Sequence, residues 1–178
     1  MFRNELRFGR RAGLLAALST SAALLLATLM PQNVQPTLAA PNFQAPYACG
    51  QTWTATHHLG SRALHFDYSP PEQEIGKRIL ASANGTVSVA GSTSTGRTVK
   101  ISHSGGYETL YTHLSSINVA VGQTVTRGQV LGVVGSSGTD HVHLHYEQRL
   151  NGAPVAVVFD GVLIDTFDYS RRVTSNNC

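Results

Sequence analysis

One stretch limits the fold more than any other: Asp140-His141-Val142-His143-Leu144-His145-Tyr146-Glu147. Three of the chain's eight histidines alternate there with Val142, Leu144 and Tyr146. On an extended strand residues i and i+2 point to one side, so His141, His143, His145 and Glu147 share a face while the apolar residues look into a core. A helix would scatter both sets. The chain therefore needs a sheet with one packed face and one open face, and an open face lined with imidazoles suits a metal ion. One strand does not complete a metal shell, so further ligands must come from elsewhere in the sequence.

The N-terminus reads as a targeting segment. Arg3, Arg7, Arg10 and Arg11 precede an uncharged apolar run from Ala12 to Met30, and small residues follow at Thr37-Leu38-Ala39-Ala40. This is the pattern of a secretory signal over residues 1–39, with cleavage after Ala39. The run is near the lower length limit for a bilayer span, so an uncleaved anchor is the alternative, and only then would a membrane be a partner. Of thirteen basic and ten acidic residues, those four arginines and Glu5 lie in the segment, which leaves nine of each sign beyond it. That balance, with no basic run interleaved with aromatics, excludes a nucleic-acid partner.

Roughly 140 residues remain, enough for one compact domain that is expected to act as a monomer. Residues 40–46 read as an irregular lead-in and 47–178 as the domain. Cys49 and Cys178 lie near its two ends. In the oxidising compartment that export implies, an even count predicts a disulfide between them.

The remaining pattern is of short strands. Ala63-Leu64-His65-Phe66-Asp67-Tyr68 alternates and stops at Pro70-Pro71, with Asp67 on the same face as His65. Asn84-Gly85 between Arg78–Ala81 and Thr86–Val89 is a two-residue hairpin signal. Ser104-Gly105-Gly106 predicts a second hairpin between Thr98–His103 and Tyr107–Thr112, with Val99, Ile101, Leu110 and Tyr111 in the core. Val125 to Val134 reads as a further strand pair, Gly135–Gly138 as a hairpin loop or groove edge, and Asn151-Gly152 as a turn. No helical period stands out beyond the targeting segment, so the fold class is all-β, a barrel or sandwich of short antiparallel strands.

The histidine strand, Asp67 and one more imidazole would make a three-ligand site with a fourth position open to water, the arrangement of catalytic zinc. Here His143-Leu144-His145-Tyr146-Glu147 resembles the H-x-H strand of the lysostaphin-like zinc endopeptidases, which cut peptide bonds in bacterial peptidoglycan. Other segments agree in order: Ala83-Asn84-Gly85-Thr86-Val87, Val99 to Gly106, Leu110-Tyr111-Thr112-His113-Leu114-Ser115, Val121 to Val125 and Arg127 to Gly132. The resemblance covers roughly Ala63 to Asn151.

The resemblance implies a barrel-sandwich hybrid with its metal site in a groove. Position by position, it makes His145 and Asp67 zinc ligands, and it makes His113 and His143 the non-ligand histidines of catalysis. The sequence departs from the commoner pattern at the first histidine ligand, four residues before the Asp, where it has Ala63. A related subgroup takes that ligand from an upstream loop, which points to His58, then His57. His65, on the face of Asp67, is a third candidate. His103 at a turn reads as structural. The expected function is a secreted or cell-envelope zinc metalloendopeptidase with peptidoglycan peptide as substrate. The rival is a catalytically silent wall-binding or amidase-activating protein on the same fold. A biotinyl-like carrier ranks last, because the hairpin lacks the Lys that such a domain modifies.

Overall fold

The alternating segments pair into antiparallel sheets. The computed structural model describes residues 39–57, 62–68, 74–164 and 170–178; the targeting segment and His58 lie outside them. Among the described residues the strands are β1 (Thr52–His57), β2 (Leu64–Tyr68), β3 (Arg78–Leu80), β4 (Gly85–Thr93), β5 (Gly96–Ser102), β6 (Tyr107–Thr112), β7 (Ser116–Ile117), β8 (Thr124–Val125), β9 (Val130–Val133), β10 (Leu144–Leu150), β11 (Ala153–Val155), β12 (Val158–Phe159), β13 (Val162–Leu163) and β14 (Arg171–Thr174). The main sheet runs β14-β1-β2-β10-β6-β5-β4-β8, with β11 also on β10. A three-stranded sheet, β3-β9-β7, and a hairpin, β12-β13, accompany it. The fold is the expected all-β arrangement.

Period-two alternation selects the buried face. Ala55, Phe66, Leu144 and Tyr111 lie on one side of the main sheet, and all are fully buried. Trp53 stacks on Tyr47 at 4.8 Å between ring centroids, and Tyr146 packs against Tyr111, Phe66 and Phe159. Each such side chain stabilises the fold by about 1.5–3 kcal/mol through burial. Buried Gln148 closes the amide bonds of the next segment: its Oε1 accepts from Val158 N–H at 3.0 Å, and its Nε2 donates to the Val158 carbonyl at 2.9 Å.

Three local expectations change. Asn84-Gly85 does not turn a hairpin, because β3 pairs with β9 while β4 pairs with β5 and β8. The pair instead marks a crossing between sheets, at a position where a Cβ on Gly85 would lie 2.5 Å from both Ile101 Cγ2 and Ser102 O. The stretch from Val125 to Val134 gives β8 and β9, which join different sheets rather than each other. Leu110 leaves the core, since its neighbour Tyr111 takes the buried face and adjacent residues on a strand oppose. The other core assignments, Val99 and Ile101, hold.

Segment 40–46 has no regular element, yet it is packed: Phe43 and Ala45 are buried, and Gln44 N–H donates to Ser82 O at 2.9 Å. The ends of the domain meet where β14 pairs with β1 and where Cys49 and Cys178 form a disulfide. The bridge closes a separation of 129 residues. Replacing both cysteines by serine should lower unfolding stability by about 2–5 kcal/mol in urea titrations. An unchanged midpoint would mean that β1–β14 pairing alone fixes the ends.

Candidate active site

β10 is central to the site because it is paired on both edges, to β2 and to β6. His145 lies directly opposite His65 on β2 and Thr112 on β6. His113, one residue past β6, has φ of 70°, a left-handed conformation that costs a non-glycine residue of order 1–3 kcal/mol. His143 precedes β10 and bridges to Gly135, with its N–H donating to the Gly135 carbonyl at 3.2 Å. Four imidazoles meet as a result. Ring centroids are 4.4 Å apart for His65–His143, 5.6 Å for His65–His145, 4.7 Å for His113–His143 and 5.8 Å for His113–His145.

Hydrogen bonds to groups that only accept fix the ring tautomers. His113 Nδ1–H donates to the Ser137 carbonyl at 2.9 Å, and His143 Nδ1–H donates to the His141 carbonyl at 3.1 Å. In the neutral rings, Nε2 therefore carries the lone pair. His145 is reversed, since its Nε2–H donates to Glu147 Oε1 at 3.0 Å and leaves Nδ1 as the lone-pair nitrogen. Arg149 Nε–H donates to Glu147 Oε2 at 2.6 Å, so one carboxylate orients the histidine while being held itself. These contacts, that with His145 foremost, hold the Glu147 carboxyl down to about 2 against the penalty of burial. Arg149 was not foreseen, although continued alternation through 145, 147 and 149 was the available signal.

His143 is 7% exposed. Burial, reinforced by His113, pushes its pKa down to about 4, so the ring is neutral at physiological pH. Its Nε2 is buried without a hydrogen-bond partner. A bare imidazole nitrogen among three other imidazoles is the environment of a metal or of a reacting proton, and in kind the donors suit zinc. Among the described residues, no three His, Cys, Asp or Glu groups are arranged to hold a metal ion.

The other sequence candidates are spread around this cluster. The pairing of His57 with Leu64 puts it in the row of the core face, opposite in parity to His65. Asp67 is on the site face of β2, paired with Thr54. Burial raises its pKa while the nearby charge of His141 lowers it. Buried Glu74, which faces the Asp67 charge, is pushed up to about 8, chiefly by burial. His141 is exposed, outside β10. His103 is held between the Asn84 carbonyl, to which its Nδ1–H donates at 2.7 Å, and the Thr109 hydroxyl at 2.8 Å.

A groove of about 510 Å³ runs along the open face past His113 and His145 to Arg149. Thr95 and Gly138 form one wall. Only a glycine permits that closure, since a Cβ at Gly138, with φ of 78°, would lie 2.7 Å from the Thr95 carbonyl. The Gly135–Gly138 segment is therefore a groove edge.

The sequence pattern of Peptidase family M23 matches residues 65–157, which include these four imidazoles and most of the sheet. The chain belongs to peptidase family M23. Its M23 segment is 45% identical over 91 residues to the DD-carboxypeptidase/endopeptidase Mpg of Neisseria meningitidis, covering 50% of this chain and 20% of that protein. It is 36% identical over 126 residues to a lipoprotein NlpD/LppB homolog of Pseudomonas aeruginosa, covering 66% and 41%. The chain thus spans less than half the length of these curated relatives. Among solved structures, a putative peptidase M23 from Pseudomonas aeruginosa superposes with a TM-score of 0.59 at 28% identity, covering 72% of this chain and 55% of that one.

The depressed pKa of His143 has a consequence for stability. The unfolded chain takes up this proton near pH 6.5 and the folded chain only near 4, so the contribution is complete above pH 6.5 and is lost as pH falls toward 4. In metal-free protein, urea midpoints should fall across that window, and less steeply for His143→Gln. Parallel curves would contradict the assigned environment.

Proposed function

We propose that this M23 protein is an exported zinc-dependent endopeptidase that hydrolyses peptide bonds in peptidoglycan cross-links. The observation that carries the reading is the buried, neutral His143, with its bare Nε2 and its ring centroid 4.7 Å from that of His113. His145, through Nδ1, would hold the metal; Asp67 and His58 would complete the ligand set that the family resemblance implies. A bound zinc ion would acidify water to near neutral pH and polarise the scissile carbonyl.

The chain's own residues supply the rest. A neutral imidazole with a bare nitrogen accepts the proton of the attacking water, which fits His143, with the His113 ring beside it. The ring that has taken the proton becomes a donor for the departing amine. The Ser137 and His141 carbonyls hold each ring in the acceptor tautomer beforehand and stabilise the imidazolium afterwards. Glu147 keeps the His145 ring from rotating. The open groove admits an extended peptide.

A second reading keeps the fold and drops the reaction: a silent wall-binding or amidase-activating protein. It is favoured by Ala63, where the commoner pattern of the family has a ligand histidine.

Digestion of purified peptidoglycan separates the two. The zinc-loaded protein should release new amine termini, and that release should disappear with chelator and fall by at least about 100-fold in His113→Ala, the scale of lost acid–base catalysis. Unchanged muropeptides from folded, zinc-loaded protein would favour the silent reading.

A further inference from the structure

We propose that Ser137 is a positioning residue for His113: its hydroxyl, tied to the start of β5, fixes the backbone carbonyl that keeps the lone pair of the His113 ring on Nε2. The proposal rests on the metallopeptidase reading above and concerns how one of the two non-ligand histidines is aimed.

Ser137 spends all its polar groups on the surroundings of His113. Its carbonyl accepts from His113 Nδ1–H at 2.9 Å, and its N–H donates to the His113 carbonyl at 3.3 Å. These two bonds grip the ring and the backbone of one residue together. The hydroxyl points elsewhere and accepts from the Arg97 N–H at 2.8 Å, across a sequence separation of 40 residues.

Arg97 turns these contacts into a closed frame. Its carbonyl accepts from Leu114 N–H at 3.1 Å, and its guanidinium donates to the Ser115 carbonyl at 2.8 Å. The residues that follow His113 are therefore held by the same residue that holds Ser137. His113, at φ of 70°, has a backbone conformation that persists only when the surrounding structure over-determines it. The circuit through Ser137, Arg97 and Leu114 does so, and the Ser137 hydroxyl is the link that closes it.

Glycine makes room for the contact. At Gly96, with φ of 112°, a Cβ would run into the Ser137 carbonyl, and at Gly138 it would meet the Thr95 carbonyl. The tip of the β4–β5 hairpin and the 135–138 loop thus meet backbone to backbone. Thr95 and Gly138 line the groove, whereas Ser137 does not. An effect of the Ser137 hydroxyl on the reaction passes through His113, so it should fall on turnover rather than on peptide binding.

Two readouts test this, with circular dichroism to check the folding of each variant. In metal-free protein, nitrogen-15 spectra should place His113 at the Nδ1–H tautomer limit, and Ser137→Ala should move its ring signals toward the average of the two tautomers. With zinc-loaded protein and soluble cross-linked muropeptides, Ser137→Ala should lower kcat by about 10- to 100-fold, the scale of a misplaced reacting group. KM should stay unchanged. Ser137→Thr keeps a hydroxyl acceptor and should restore both readouts, while Gly96→Ala, which displaces the carbonyl itself, should reproduce the tautomer change. His113 at the Nε2–H limit in the unaltered protein would overturn the proposal, as would ring signals or a kcat that Ser137→Ala leaves in place. A change in KM or in thermal stability alone would overturn it as well. In each of these cases, peptide release by the unaltered protein keeps the metallopeptidase reading, and its absence from zinc-loaded protein would remove both.

Discussion

The double pairing of β10 is the constraint on which the rest of the structure depends. With β2 on one edge and β6 on the other, the strand cannot slip by one residue without turning Leu144 and Tyr146 to solvent and His145 into the core. Burying those side chains and Phe66 opposite them therefore locates the histidines. The hydrophobic face sets the register, and the register sets which polar groups meet. This explains how a site made of short, separate segments is held in place by the packed face of the sheet that carries it.

On that face, polar positioning is done by neighbours that only accept hydrogen bonds. Two backbone carbonyls and one carboxylate assign a tautomer to each of three rings. Burial then keeps His143 unprotonated at pH values where a solvated histidine begins to charge. The left-handed backbone at His113 is the compensating cost, tolerated because the Ser137 loop holds both the ring and the backbone carbonyl of that residue. The site thus combines a rigid strand with two short loops, and the glycines at 135 and 138 are what let those loops close.

Much of this was legible in the sequence, wherever one local rule acted alone. Alternation from Leu144 to Glu147 gave the strand and its two faces, and Ser104-Gly105-Gly106 gave the β5–β6 turn. The reading failed where pairing is decided at long range. Asn84-Gly85 carries a strong hairpin signal, but β3 finds β9 rather than β4, because hydrogen-bond partners from the smaller sheet outcompete the adjacent strand. The same limit applies to β2. Parity placed His65 and Asp67 on one face, and only the three-dimensional register shows that His65 stands opposite His145. His58 lies outside the described residues, so its place rests on the family resemblance.

The central claim is that the polar face shared by β2, β10 and β6 holds a metal ion. Anomalous diffraction at the zinc absorption edge, from crystals of the zinc-loaded protein, tests it most directly. The account predicts one strong peak within bonding distance of His145 Nδ1, with His113 and His143 alongside. A peak elsewhere on the domain, or none on this face, would contradict it.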